Sequence, residues 1–190
     1  MEDNSSMVNI GLDHEGKALL KSLIGKELIQ YRHDPLDKFG GEKVYGRIEM
    51  FFDDSIILIE YDYAPYPLFG STDDEHPVFS IKKISEEEAV SALEDVSQIN
   101  IRFEKVISGV SLIEDTIDIE WDGKKDSTRL LKAIILKFGK EEIAIQGDYM
   151  MPLLDIIKGT NVTSKLLEPG EEYKEDSEIK YIAKRFIVDL

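Results

Sequence analysis

The stretch Val44-Tyr45-Gly46-Arg47-Ile48-Glu49-Met50-Phe51-Phe52-Asp53-Asp54-Ser55-Ile56-Ile57-Leu58-Ile59-Glu60-Tyr61-Asp62-Tyr63 decides the fold. Two runs rich in β-branched and aromatic residues, 44–52 and 55–63, flank the pair Asp53-Asp54. A gap of two residues leaves room for a tight turn only, so the runs are expected to pair as an antiparallel hairpin.

The same style continues outward. Residues 26–32 read as a strand ended by His33-Asp34-Pro35, and Val78–Ile84 as another. Further strands are expected at 104–112, 116–121, 130–138 and 141–146. Between 64 and 74, Pro65 and Pro67 remove ladder donors, which predicts a long surface loop. Helices are expected in three places. Asp13 caps the first, Gly16, Leu19, Leu20, Leu23 and Ile24 recur at spacing 3 and 4, and Gly25 closes it. Ser85 with Glu88 forms a capping box before Val90, Leu93 and Val96. Asp148 precedes a short segment with Pro152 in its first turn and Gly159 as its stop. Residues 178–190 fit a helical face through Ile179, Ile182, Ala183, Phe186, Ile187 and Leu190, while their β-branched content favours a strand.

The expected fold class is therefore α+β: a mainly antiparallel β-sheet built from hairpins, with three to four short helices. Residues 1–9 read as a disordered tail and 10–190 as one domain. An internal echo also permits two related half-domains, about 10–95 and 96–190. At an offset of 86, Ile48, Met50, Phe52, Ile57, Ile59, Asp62 and Tyr63 fall on Ile134, Leu136, Phe138, Ile143, Ile145, Asp148 and Tyr149. Any two amphipathic hairpins agree at alternate positions, so only the Asp-Tyr pairs and the aromatic before each turn exceed that expectation.

Charge narrows the function. The chain has 190 residues and a formal charge of −16, which repels nucleic acid and anionic membranes and favours a basic partner. No run of about 18 apolar residues is present, and the N-terminus has no secretion signal. With no cysteine, a thiolate nucleophile and a Cys-built zinc site are excluded, and a cytoplasmic address is expected. No phosphate-cradling loop, nucleophile elbow or H-E-x-x-H pattern occurs. His14, His33 and His76 each have an acidic neighbour, but adjacent residues point apart, so neither a metal site nor a catalytic residue is assigned, and no cofactor.

The charge is concentrated. Between Arg47 and Lys82, 34 residues hold eight acids, seven aromatics and no Lys or Arg. In Thr116-Ile117-Asp118-Ile119-Glu120-Trp121-Asp122, alternation puts Ile117, Ile119 and Trp121 on a core face and Asp118, Glu120 and Asp122 on the other. Three carboxylates at about 7 Å spacing repel unless cations answer them. Glu60 and Asp62 share a face in the same way beside Tyr63 and Tyr66. These seven residues, Asp118, Glu120, Asp122, Glu60, Asp62, Tyr63 and Tyr66, form the expected partner-binding set, with carboxylates steering and tyrosines anchoring. In size, charge and absence of cysteine the whole chain resembles bacterial immunity proteins, which block a toxin's basic nuclease site. That resemblance implies a non-catalytic inhibitor of a basic protein. The alternatives are a carboxylate-using hydrolase near the Pro65-Tyr66-Pro67 loop and a structural module in which strands pair between chains as a homo-oligomer.

Overall fold

A computed structural model describes residues 7–36, 43–66, 74–91, 93, 97–148, 151–174 and 178–190. The expected hairpin is present as β3 (Lys43–Phe52) and β4 (Ser55–Pro65), in register from Arg47↔Glu60 to Phe52↔Ser55. Around it run β2 (Glu27–Pro35), β5 (Glu75–Ile84) and β6 (Ile99–Val106). The second half supplies β7 (Gly109–Trp121), β8 (Lys124–Phe138), β9 (Glu141–Gly147), β10 (Leu153–Gly159) and β11 (Lys180–Asp189).

Pairing gives both halves one order. In the first, β6 pairs β2, β2 pairs β3, β3 pairs β4 and β4 pairs β5, all antiparallel. In the second, β11 pairs β7, β7 pairs β8, β8 pairs β9 and β9 pairs β10, again antiparallel. The β8–β9 ladder from Ala133↔Gln146 to Phe138↔Glu141 repeats the β3–β4 ladder at the offset of 86. The halves join where Leu153, Leu154 and Asp155 of β10 pair with Tyr45, Val44 and Lys43 of β3. A short strand, β1 (Val8–Ile10), pairs in parallel with Thr128–Leu130 of β8.

The sheet's inner faces share one core. Ile48, Met50, Ile57 and Ile59 from the first half cluster with Leu112, Ile134, Leu136 and Ile145 from the second. Helix α1 (His14–Ser22) adds Leu20 and its C-cap Leu23, both fully buried. Its ends follow the sequence: the Asp13 carboxylate accepts the Gly16 N–H at 2.7 Å, and Gly25 has φ 89°. On the outer faces, Ala89 covers Ile56, Leu58 and Ile84, while Val162 and Leu166 cover Ile113, Ala133, Ile135 and Ala144.

The expected α+β class with three to four helices is corrected: the described residues form a mostly antiparallel β-sheet of eleven strands. Among the described residues α1 is the one α-helix, beside the short 3-10 turns Val162–Lys165 and Glu171–Tyr173. The segment expected to be a helix before Gly159 is the strand β10. Its Leu154 and Ile156 join the main core while Ile157 packs on the opposite face with Val162 and Leu166, so both faces carry apolar residues and Leu153-Leu154 with Ile156-Ile157 imitates a helical stripe. Strand β11, at the sheet's edge, imitates one too, with Ile182 and Phe186 on one face and Ala183 and Ile187 on the other. The Ser85–Glu88 box does form, with Ser85 N–H donating to Glu88 Oε2 at 2.9 Å, but residues 86–88 are a turn and the chain leaves it by 89. The expected helix there includes Val96, which with 92, 94 and 95 lies outside the described residues. The strands expected at 104–112 and 116–121 are redrawn, because β7 runs unbroken through Gly109–Trp121. Its pairing with β8 shifts between Ile113 and Glu114, where Lys132 is the extra residue of a bulge.

Candidate partner-binding site

The predicted carboxylate ladder stands at the far end of β7. Ile117 and Ile119 are buried there, as alternation requires. Asp118 is exposed and accepts a hydrogen bond from Ser127 Oγ at 2.6 Å. Glu120 lies opposite Lys125 on β8 and 3.8 Å from Lys180 Nζ on β11. Asp122 does not extend the ladder. It occupies the β7–β8 turn at φ 49°, followed by Gly123 at φ 72°. Trp121, expected on the core face, is 44% exposed at the same tip, because the strand outruns the core that would cover it. Neighbouring strands thus meet the ladder with a hydroxyl at Asp118 and a lysine beside Glu120, and a shallow groove of about 390 Å³ lies among Asp118, Glu120, Lys125 and Lys180.

The second group belongs to β4 and β5. Pairing of β4 with β3 ends at Arg47↔Glu60, and beyond that point β10 takes β4's place beside β3. Gly46 makes the exchange possible. Its N–H donates to Pro152 O at 2.8 Å, and a Cβ here would collide with the Tyr61 carbonyl and stand 2.7 Å from Pro152 O. Tyr61 turns inward over Gly147 and donates its hydroxyl to Asp148 O at 2.5 Å. From Tyr61 onward, β4 pairs only with β5 among the described residues, as a two-stranded ribbon.

Glu60, at the base of this ribbon, is held by Lys82 at 2.8 Å and Arg47 at 3.6 Å. Further out the situation changes. Asp62, Asp74 and Glu75 are exposed, and none makes an ion pair among the described residues; Asp62 accepts the N–H of Tyr63 at 2.8 Å. Tyr63 is 46% exposed beside them. The register Asp62↔Val78, Tyr63↔Pro77, Pro65↔Glu75 places Asp62 on one face of the ribbon and Tyr63 with Glu75 on the other. Tyr66 does not join this surface. It is buried, its hydroxyl bonded to Thr128 Oγ1 and its ring 5.4 Å from that of His76. Burial pushes its phenol up to about 12.

Sequence reasoning did not find the buried charges. Glu49 is fully buried on β3, where Arg32 Nε reaches its carboxylate at 2.6 Å and Arg47 Nε at 3.1 Å. The same arginines donate to Ala89 O and Glu88 O, tying residues 88–89 to the outer face. Buried Glu114 is held by Arg129 at 2.8 Å and Lys17 at 3.4 Å, and buried Asp115 by both ends of Arg185 at 2.8 and 2.7 Å. An acid inside an apolar run with an arginine two residues away, as in Arg47-Ile48-Glu49, was the available signal. A carboxyl raised by burial, with Lys43 opposing the shift and Asp148 adding to it, is Asp155 on β10. Among the described residues no group of three or more His, Asp and Glu side chains is placed to hold a metal ion, and no helix is long and apolar enough to cross a membrane. His14, His33 and His76 stand on α1, β2 and β5.

No family model, curated protein or solved structure matches this chain.

Proposed function

We propose that this protein is a non-catalytic binding protein that docks a basic protein partner through the β4–β5 ribbon. The carrying observation is that Asp62, Asp74 and Glu75, gathered on one ribbon, stand exposed beside Tyr63 with no ion pair among the described residues, while on β7 Glu120 already has Lys180 at 3.8 Å and Asp118 has the hydroxyl of Ser127. An answered carboxylate has little left to gain from a partner's cation. An unanswered one attracts it at long range and pairs with it on contact. Asp62 and Glu75 project from opposite faces of a narrow ribbon and lie about 10 Å apart along it at 3.3 Å per residue. A basic groove can meet both carboxylates along the ribbon's exposed rim, where Tyr63 supplies a rigid apolar anchor. A groove built to hold nucleic acid phosphates has this form and charge, which agrees with the immunity-protein-like character of the chain and with a cytoplasmic inhibitor.

The test is affinity capture from lysate of the native organism with three baits: the natural chain, Asp62→Lys with Glu75→Lys, and Asp118→Lys with Glu120→Lys. A basic protein should leave the natural bait at moderate salt, be missing from the first variant and remain on the second. Capture by the ribbon variant with loss on the ladder variant would reverse the assignment.

A further inference from the structure

We propose that the open edge of β11 pairs with the β11 of a second copy of this chain, antiparallel across a two-fold axis at Ala183. Strand β11 ends the sheet and pairs only with β7 among the described residues. Its register is unbroken from Lys180↔Glu120 to Asp189↔Ser111, and Leu190 N–H donates to Val110 O at 3.0 Å just beyond. In such a ladder alternate residues exchange hydrogen bonds with the neighbour. Even-numbered residues therefore bond to β7. Tyr181, Ala183, Arg185, Ile187 and Asp189 turn their N–H and C=O groups outward, a template for another strand. The side chains along this edge are unusually apolar for an exposed strand: Ile182 is 64% exposed, Ile187 57% and Phe186 46%.

Charge selects the occupant and its register. Lys180, Lys184 and Arg185 discourage pairing in general, since like charges directly opposite repel. Two copies centred on Lys184 or Arg185 set that residue against itself, and centring on Ile182 sets Lys180 against Lys184. Centred on Ala183, no like charges meet: Ile182 faces Lys184, Lys180 faces Phe186, and Arg185 faces Tyr181. Lys180 on Phe186 is a cation–aromatic pair. Arg185 stays held by Asp115 and the Leu167 carbonyl of its own chain. Centring on Phe186 also avoids like charges but lays Lys184 on Val188 and Arg185 on Ile187, which forgoes the contact of Lys180 with Phe186, and centring on Tyr181 or Ile187 overlaps only three or five residues of β11 instead of seven. A two-fold contact uses both edges at once, so assembly closes at two copies.

Each copy carries −16, so the dimer must form against mutual repulsion and should tighten as salt screens it. Sedimentation equilibrium over a concentration series at low and high salt reads this directly. The expected mass rises from 21.7 kDa to twice that value, at lower concentration in high salt. Hydrogen exchange on the concentrated sample should show the amides of Tyr181, Ala183 and Arg185 newly protected. Ala183→Pro removes an outward donor that β7 does not use, so it should leave the circular dichroism unchanged and the protein monomeric. Ile182→Lys, which sets a cation against Lys184, should do the same and serves if the proline variant does not fold. A monomer at every concentration in both salts, a dimer in either folded variant, or a dimer whose odd-numbered β11 amides stay unprotected would overturn the proposal. The interface does not involve the β4–β5 ribbon, so Asp62→Lys with Glu75→Lys leaves the dimer intact, and failure of one reading is distinguishable from failure of the other.

Discussion

Replacing Glu49 by Ala should cost this protein about 3 kcal/mol, at the low end of what breaking a buried ion pair removes. Glu49 has no exposure, and its two oxygens take Arg32 at 2.6 Å and Arg47 at 3.1 Å. The arginine side chains are 21% and 16% exposed, so water compensates them in part, which sets the low end. They also retain the carbonyls of Ala89 and Glu88, and Arg47 retains Glu60. For a chain of this size each kcal/mol lowers the melting temperature by about 2–4 °C, so a fall of roughly 6–12 °C is expected. Urea unfolding measures the energy, and hydrogen exchange locates it. Amides at 86–91 should open first, because the arginines that clamp this segment lose the carboxylate that orients them. Replacing all three by apolar residues, Glu49→Leu with Arg32→Met and Arg47→Met, should recover most of the loss, since no buried charge is then left unanswered. A Glu49→Ala cost below about 1 kcal/mol would refute the reasoning, because that is the worth of an exposed pair.

Other outcomes follow from the same geometry. Gly147→Ala puts a Cβ 2.6 Å from the Tyr61 hydroxyl and should destabilise by about 1–3 kcal/mol in urea unfolding, the usual cost of overpacking. The raised phenol of Tyr66 has a definite sign: its contribution to stability is complete below the ordinary value of 10.0 and is lost as pH rises through about 12. Melting against pH should fall in that window for the natural chain and more gently for Tyr66→Phe. Trp121, the single tryptophan, should be accessible to an aqueous fluorescence quencher, and Gly123→Ala at φ 72° should cost about 1 kcal/mol by thermal melting.

Features whose sequence signal is local proved legible. The first helix carries its own cap at Asp13, its own stripe at Leu20 and Leu23 and its own stop at Gly25. The β3–β4 hairpin follows from two apolar runs and a gap that admits only a turn. Features fixed by distant neighbours did not read correctly. β10 is apolar on both faces because the main core covers one and Val162 with Leu166 the other, and a strand covered on both sides spaces its residues as a helix does. β11 was ambiguous for a related reason, being apolar on both faces at an edge. At the candidate site, alternation placed Ile117, Ile119 and the acids of β7 on opposite faces. It could not show that Ser127 and Lys180 would answer those acids, because both arrive from other strands. Tyr66 read as an exposed tyrosine for want of Thr128 and His76, which close over it only in the fold.

Under the proposed function the acidic ribbon, rather than the ladder on β7, receives a cationic partner. Titrating isotope-labelled protein with an arginine-rich peptide and following backbone amide shifts tests it directly. The largest shifts should fall on Asp62, Tyr63, Asp74 and Glu75, shrink as salt is added and vanish in Asp62→Lys with Glu75→Lys. Largest shifts at Asp118 and Glu120, or shifts spread evenly over all exposed acids, would contradict it.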